Sequence, residues 1–88
     1  MQTSLDLLDR ALKRAASQAA LCRELKVSGA TLTMARTRGR LSPTLAGALA
    51  ERMGEPVDGW IALAALEAEP KSRITDHLRR AITASRNL

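Results

Sequence analysis

The stretch Ser17-Gln18-Ala19-Ala20-Leu21-Cys22-Arg23-Glu24-Leu25-Lys26-Val27-Ser28-Gly29-Ala30-Thr31-Leu32-Thr33-Met34-Ala35-Arg36-Thr37 decides how this chain is read. Ser17 and Ser28 each carry a side-chain oxygen that can accept from the free N–H groups of a helix start. They predict two short helices, Gln18 to about Leu25 and Gly29 to about Thr37, separated by Lys26-Val27-Ser28. Leu21, Leu25, Val27 and Leu32 are spaced to lock the pair through a small core. Cys22 and Ala35 are small where the helices must cross closely. Such a pair can project its second helix into a DNA major groove, about 12 Å wide. The same spacing also suits an ordinary αα-corner in a bundle.

The flanking sequence reads as further helices. Thr3 or Ser4 can cap a first one, with Leu5, Leu8 and Leu12 on one face and Ala15 and Ala16 continuing it. Thr37-Arg38-Gly39-Arg40 is a basic loop. Ser42-Pro43 is a cap followed by proline at the first helical position, and it opens a fourth helix that Gly54 ends after Met53. Pro56 or Asp58 opens a fifth, carrying Trp60, Ile61, Leu63 and Leu66, which Pro70 should stop. A last amphipathic helix, about Ser72 to Ser85, puts Ile74, Leu78, Ala81 and Ile82 on one face.

Composition agrees with an all-α chain. Of 88 residues a single one, Trp60, is aromatic, so Leu, Ala, Ile and Met must do the packing, and Leu and Ala are strong helix formers. So short a chain buries only roughly 60–65 % of the surface it exposes when unfolded, and its core must be thin. The net charge is +5, unevenly spread. Residues 17–41 carry +4, residues 42–69 carry −4, and residues 70–88 carry +4 again. A basic block over the paired helices fits a polyanionic partner. Cys22 stands alone, which excludes an intrachain disulfide and fits a reducing cytoplasm. No apolar run approaches the roughly 20 residues of a membrane span, and the start lacks a signal-peptide pattern.

The run from Ser17 to Ser28 resembles the helix-turn-helix of the phage-repressor, Cro-like family. That pattern opens its second helix with Ser or Thr then Gln, places a small residue four positions after the Gln, and closes with Val-Ser. The basic Gly-containing loop, Ser42-Pro43, and a helix through Leu45, Leu49 and Met53 also fit. Met53-Gly54-Glu55-Pro56-Val57-Asp58 is similar to the family's entry to its fifth helix. The resemblance covers about residues 5–66, and the size and tail look most like small repressors of filamentous phages and their chromosomal relatives. It implies a lambda-repressor-like bundle of five helices with a helix-turn-helix, plus the C-terminal amphipathic helix. Residues 1–70 would form the DNA-binding domain, and residues 71–88 a helix for dimerisation or fold-back.

Two departures from the family pattern matter. The turn position usually held by Gly is Lys26, which puts a side chain into left-handed backbone at roughly 1 kcal/mol. Recognition positions often held by Gln, Asn or Arg are Gly29, Ala30 and Met34, which cannot make bidentate hydrogen bonds to base edges. Thr31 and Thr33 keep hydroxyls, and Ala30, Met34 and the threonine methyls can meet thymine methyls.

The resemblance implies roles residue by residue. Gln18 would contact phosphate and brace the recognition helix, although a solvated side chain is the plain alternative. Ser28 caps the recognition helix and aims its partially positive N-terminus at phosphate or base edges. Gly29, Ala30, Thr31, Thr33 and Met34 are base-facing candidates, with Met34 reading equally well as core. Arg36, Arg38 and Arg40 are phosphate candidates, with a solvated basic loop as the alternative.

Nothing here reads as an enzyme. His77 is the single histidine and lies among Asp76, Arg79 and Arg80 on a polar face. No His/Cys cluster has metal-ligand spacing, no glycine-rich phosphate loop is present, and no cofactor is implied. Glu67-Ala68-Glu69 reads as a solvated helix end. The expected function is therefore operator binding as a homodimer, as a transcriptional regulator of a phage or prophage locus. The rival is an antitoxin-like or adaptor protein-interaction module on the same fold, in which the basic last helix docks on a partner. For that last helix three arrangements stay open: dimerisation, fold-back near Trp60 and Leu66, or a free tail whose Arg79, Arg80 and Arg86 meet DNA only on binding.

Overall fold

The computed structural model describes residues 3–86, and the described residues form six helices and no strand. These are α1 Ser4–Arg14, α2 Gln18–Leu25, α3 Gly29–Arg38, α4 Pro43–Met53, α5 Val57–Glu67 and α6 Arg73–Arg86. Local chemistry sets nearly every boundary. Ser17, Ser28 and Ser42 each accept the backbone N–H of the third residue of the helix that follows. At α1 the cap is Thr3, whose N–H donates to Asp6 at 2.8 Å. Gly39 ends α3 at φ 78°, a conformation that glycine adopts without a Cβ penalty. The last turn of α5 closes at Ala68, ahead of Pro70.

The core is leucine, alanine and one tryptophan. Leu7, Leu8, Leu21, Leu32, Leu41, Leu49, Trp60 and Leu63 are fully buried, with Cys22, Ala35, Ala46, Ala50 and Ala64 filling the narrow gaps. Each fully buried leucine contributes roughly 1.5–3 kcal/mol. Helices α4 and α5 approach closely: a Cβ added to Gly47 would lie 2.9 Å from the Ile61 Cδ1 methyl. Trp60 donates its indole N–H to Glu55 at 3.3 Å, and the Arg10 guanidinium lies 5.5 Å from its ring centroid. That stack fastens α1 to the start of α5.

Three sequence expectations change. The buried face of α1 is Ser4, Leu7, Leu8 and Ala11, while Leu5, Leu12 and Ala15 sit at its margin and Ala16 is exposed. The helix is rotated relative to the expected leucine face because Ser4, a polar residue, belongs inside. Glu67 is the reason, and it is not a solvated helix end. Its side chain is only 6 % exposed. Oε2 accepts the Ser4 N–H at 2.9 Å and Oε1 accepts the Ser4 hydroxyl. The carboxylate thus satisfies an orphan N–H at the positive end of α1. Ser4 Oγ in turn accepts the buried Leu41 N–H at 2.8 Å, and Arg79 of α6 lies 3.6 Å from Glu67.

The third change concerns α6. It packs on α5, but with only one member of its apolar stripe, Ile82, half-buried. Thr75, Asp76, Arg79, Ile82 and Thr83 are half-buried, whereas Ile74 is 72 % and Leu78 42 % exposed, and Ala81 is exposed with them. The Arg79–Glu67 pair draws the polar flank of the helix inward, Ile82 alone of the stripe goes with it, and Ile74, Leu78 and Ala81 are turned out.

The Ser4 hydroxyl carries two links at once. Ser4→Ala leaves the Leu41 N–H and a Glu67 oxygen without partners, which costs about 2–4 kcal/mol. Thermal unfolding is expected to fall by about 10 °C or more. A midpoint within about 2 °C of the parent would show that the network contributes nothing to stability.

Candidate nucleic-acid interface

Helices α2 and α3 are held by a tight connection. Lys26 ends α2 in left-handed backbone, φ 59° and ψ 42°, and is the only described residue other than glycine with positive φ. That conformation lets the Val27 N–H reach back to Cys22 O at 3.0 Å. Ser28 then opens α3, its hydroxyl accepting the Thr31 N–H at 3.4 Å. Leu21 and Cys22 from α2 and Leu32 and Ala35 from α3 are buried between the helices, with Leu25 and Val27 packed at the edge.

What this packing leaves outward is one face of α3. Gly29, Ala30, Thr33, Met34 and Thr37 are all exposed. Met34 is 46 % exposed, which places it outside the core. The two threonines turn their hydroxyl hydrogens inward: Thr33 donates to Gly29 O at 3.2 Å and Thr37 to Thr33 O at 3.1 Å. What they offer outward is therefore methyl carbon and oxygen lone pairs. This face is smooth, weakly polar and poor in donors. Thr37 was missing from the sequence candidates, although it stands one helical turn beyond Thr33 and that spacing alone puts both on one face.

The remaining candidates separate. Gln18 is exposed at the start of α2, and Ser28 is exposed at its cap. Thr31 is half-buried and pairs its hydroxyl with Ser28 at 3.2 Å, so it belongs to the cap rather than the outer face. Arg36 is exposed but reaches back to Asp9 of α1 at 2.9 Å. Arg10 and Arg52 likewise face carboxylates, Glu55 and Glu24. Arg38 and Arg40, by contrast, make no ion pair or side-chain hydrogen bond among the described residues. They line a groove of about 280 Å³ beside Ala30, Met34 and Ser42. Ser42 caps α4, so the groove also meets a helix N-terminus, where anions are favoured.

Compared with protein-family models, curated proteins and solved structures, the chain matches none. The reading of this surface therefore rests on its own chemistry. Among the described residues, no group of three or more His, Cys, Asp or Glu side chains is placed to hold a metal ion. No described helix is long and apolar enough to cross a membrane.

The left-handed turn carries a testable strain. A Cβ in that conformation costs roughly 1–2 kcal/mol, and glycine returns part of the gain through a more flexible unfolded chain, about 0.4–1 kcal/mol. Lys26→Gly is expected to raise stability by up to about 1 kcal/mol in chemical denaturation. A less stable variant would mean that the lysine stem makes compensating contacts.

Proposed function

We propose that the chain is a sequence-specific DNA-binding transcriptional regulator, with α2 and α3 acting as a helix-turn-helix in a lambda-repressor-like bundle. One observation carries this reading: α3 presents an exposed, unpartnered face with two arginines at its end, Arg38 and Arg40, that make no ion pair among the described residues and line the groove beside that face. A helix of ten residues is about 15 Å long and fits the major groove with its N-terminal turns at the base edges. Gly29, Ala30, Thr33, Met34 and Thr37 then face the bases. Gln18 and the Ser28 end of α3 meet the backbone on one side, and Arg38 and Arg40 on the other. Arg36 starts from a competing contact with Asp9, and its contribution ranks below theirs.

The base-facing surface has no long polar side chain, so discrimination comes from thymine methyls and from DNA shape. One such surface touches few base pairs. A two-fold dimer reaching half-sites about 34 Å apart supplies the rest of the specificity, in keeping with an operator-binding repressor of phage or prophage type. A second reading, an antitoxin-like or adaptor module, is favoured by the exposed Ile74 and Leu78 of α6 and Val57 and Ile61 of α5. Salt separates the two: phosphate contacts weaken steeply as salt rises, whereas an apolar helix-in-groove contact does not.

Arg38→Ala is expected to weaken binding on all duplexes and to flatten the log–log salt slope by roughly 0.9, the loss of one phosphate contact. Unchanged slope and affinity would remove Arg38 from the interface. Uracil in place of thymine within a preferred duplex is expected to weaken binding at one or more positions. A footprint dominated by guanine contacts, indifferent to every thymine methyl, would overturn the proposed mode of readout.

A further inference from the structure

A second cleft, of about 250 Å³, opens where the α3–α4 loop meets α6. Arg38 lines it from the end of α3, Gly39 and Arg40 from the loop that follows, Thr3 from the start of α1, and Glu67 and Arg79 from α5 and α6. Three arginines thus line one small space with a single carboxylate. Both oxygens of that carboxylate are already engaged by Ser4 and Arg79. Arg79 is held by this contact with its side chain only 18 % exposed, and its Nε–H is buried with no partner. Arg38 and Arg40 make no ion pair among the described residues. Among its side chains the cleft is therefore richer in donors than in acceptors, and one of the donors, Arg79, is held in place.

A tetrahedral oxyanion is the ligand that converging planar guanidinium forks match best. We infer that this cleft binds a phosphate group, with Arg79, which lies beside Glu67, as a contact supplied by α6. On the DNA-binding reading, on which this placement rests, the group is a backbone phosphodiester just beyond the end of α3. The C-terminal helix is then part of the DNA interface while docked on its own domain, and its exposed Ile74 and Leu78 stay available.

The test uses the full chain. Arg79→Gln combined with Glu67→Gln removes the pair without leaving a buried charge, and Glu67→Gln alone keeps the arginine. Trp60 fluorescence and melting report that each variant is folded. The double variant is expected to bind duplex DNA with a salt slope shallower by about 0.9, so that a fourfold rise in salt weakens it about 3.5-fold less than the parent. The single variant is expected to keep the parent slope. In a separate arm, inorganic phosphate is titrated into the parent without DNA while the Arg79 Nε resonance is followed by nitrogen NMR. A saturable shift is expected, and it needs no variant to fold. A parent slope in the folded double variant, with a saturable phosphate shift, assigns the cleft to a free phosphate compound and overturns the backbone contact. A shift in a chain that binds no duplex keeps the cleft and overturns the DNA reading. No shift and no change of slope overturn the inference itself.

Discussion

The carboxylate of Glu67 joins four segments that lie far apart in the sequence. It closes the N-terminus of α1 through Ser4, ends α5, faces Arg79 of α6, and through the Ser4 hydroxyl fixes the backbone at Leu41. A buried ion pair is weak evidence for net stability, because desolvation offsets most of its attraction. Breaking one side is another matter, since it strands a buried charge or a buried N–H. The network therefore acts mainly on geometry. It sets the rotation of α1, the flank by which α6 docks, and the position of the loop that carries Arg38 and Arg40.

That geometry divides the arginines by what they face. Arg10, Arg36, Arg52 and Arg79 look toward carboxylates, and Arg38 and Arg40 toward open grooves. The exposed pairs are each worth about 0–1 kcal/mol, too little to hold the fold together. They leave Arg38 and Arg40 without a carboxylate partner at the end of α3. Next to them lies a helix face whose threonine hydroxyls have turned their hydrogens inward. Affinity from the loop and readout from methyls and shape are the division of labour proposed for this surface.

The parts of the fold legible in the sequence were those set by short-range chemistry. Ser17, Ser28 and Ser42-Pro43 start helices, and Gly39 and Gly54 end them, because caps act within a few residues. Lys26 in left-handed backbone was implied by the resemblance, whose turn position is usually glycine. What was not legible depends on contacts across the chain. Ser4 read as a cap, so the leucines of α1 were assigned a face that the buried serine displaces. Glu67 sits in a Glu-Ala-Glu helix end whose pattern is that of a solvated terminus, and nothing nearby announces its partner at Ser4. The stripe of α6 was plain, but the side by which the helix docks follows from Arg79 and Glu67. At the interface, the spacing of Thr33 and Thr37 was available and overlooked, whereas the engagement of Arg36 by Asp9 could only be seen once α1 was packed beside α3.

The central claim is that α3 and the loop after it form a DNA-binding surface. Backbone amide NMR of the labelled chain, recorded while a duplex selected from a random pool is added, tests it most directly. The account predicts saturable shifts concentrated at Gln18, at residues 28–34, and at Thr37, Arg38 and Arg40. Shifts confined to the exposed apolar residues of α5 and α6, or no response to any selected duplex, would contradict it.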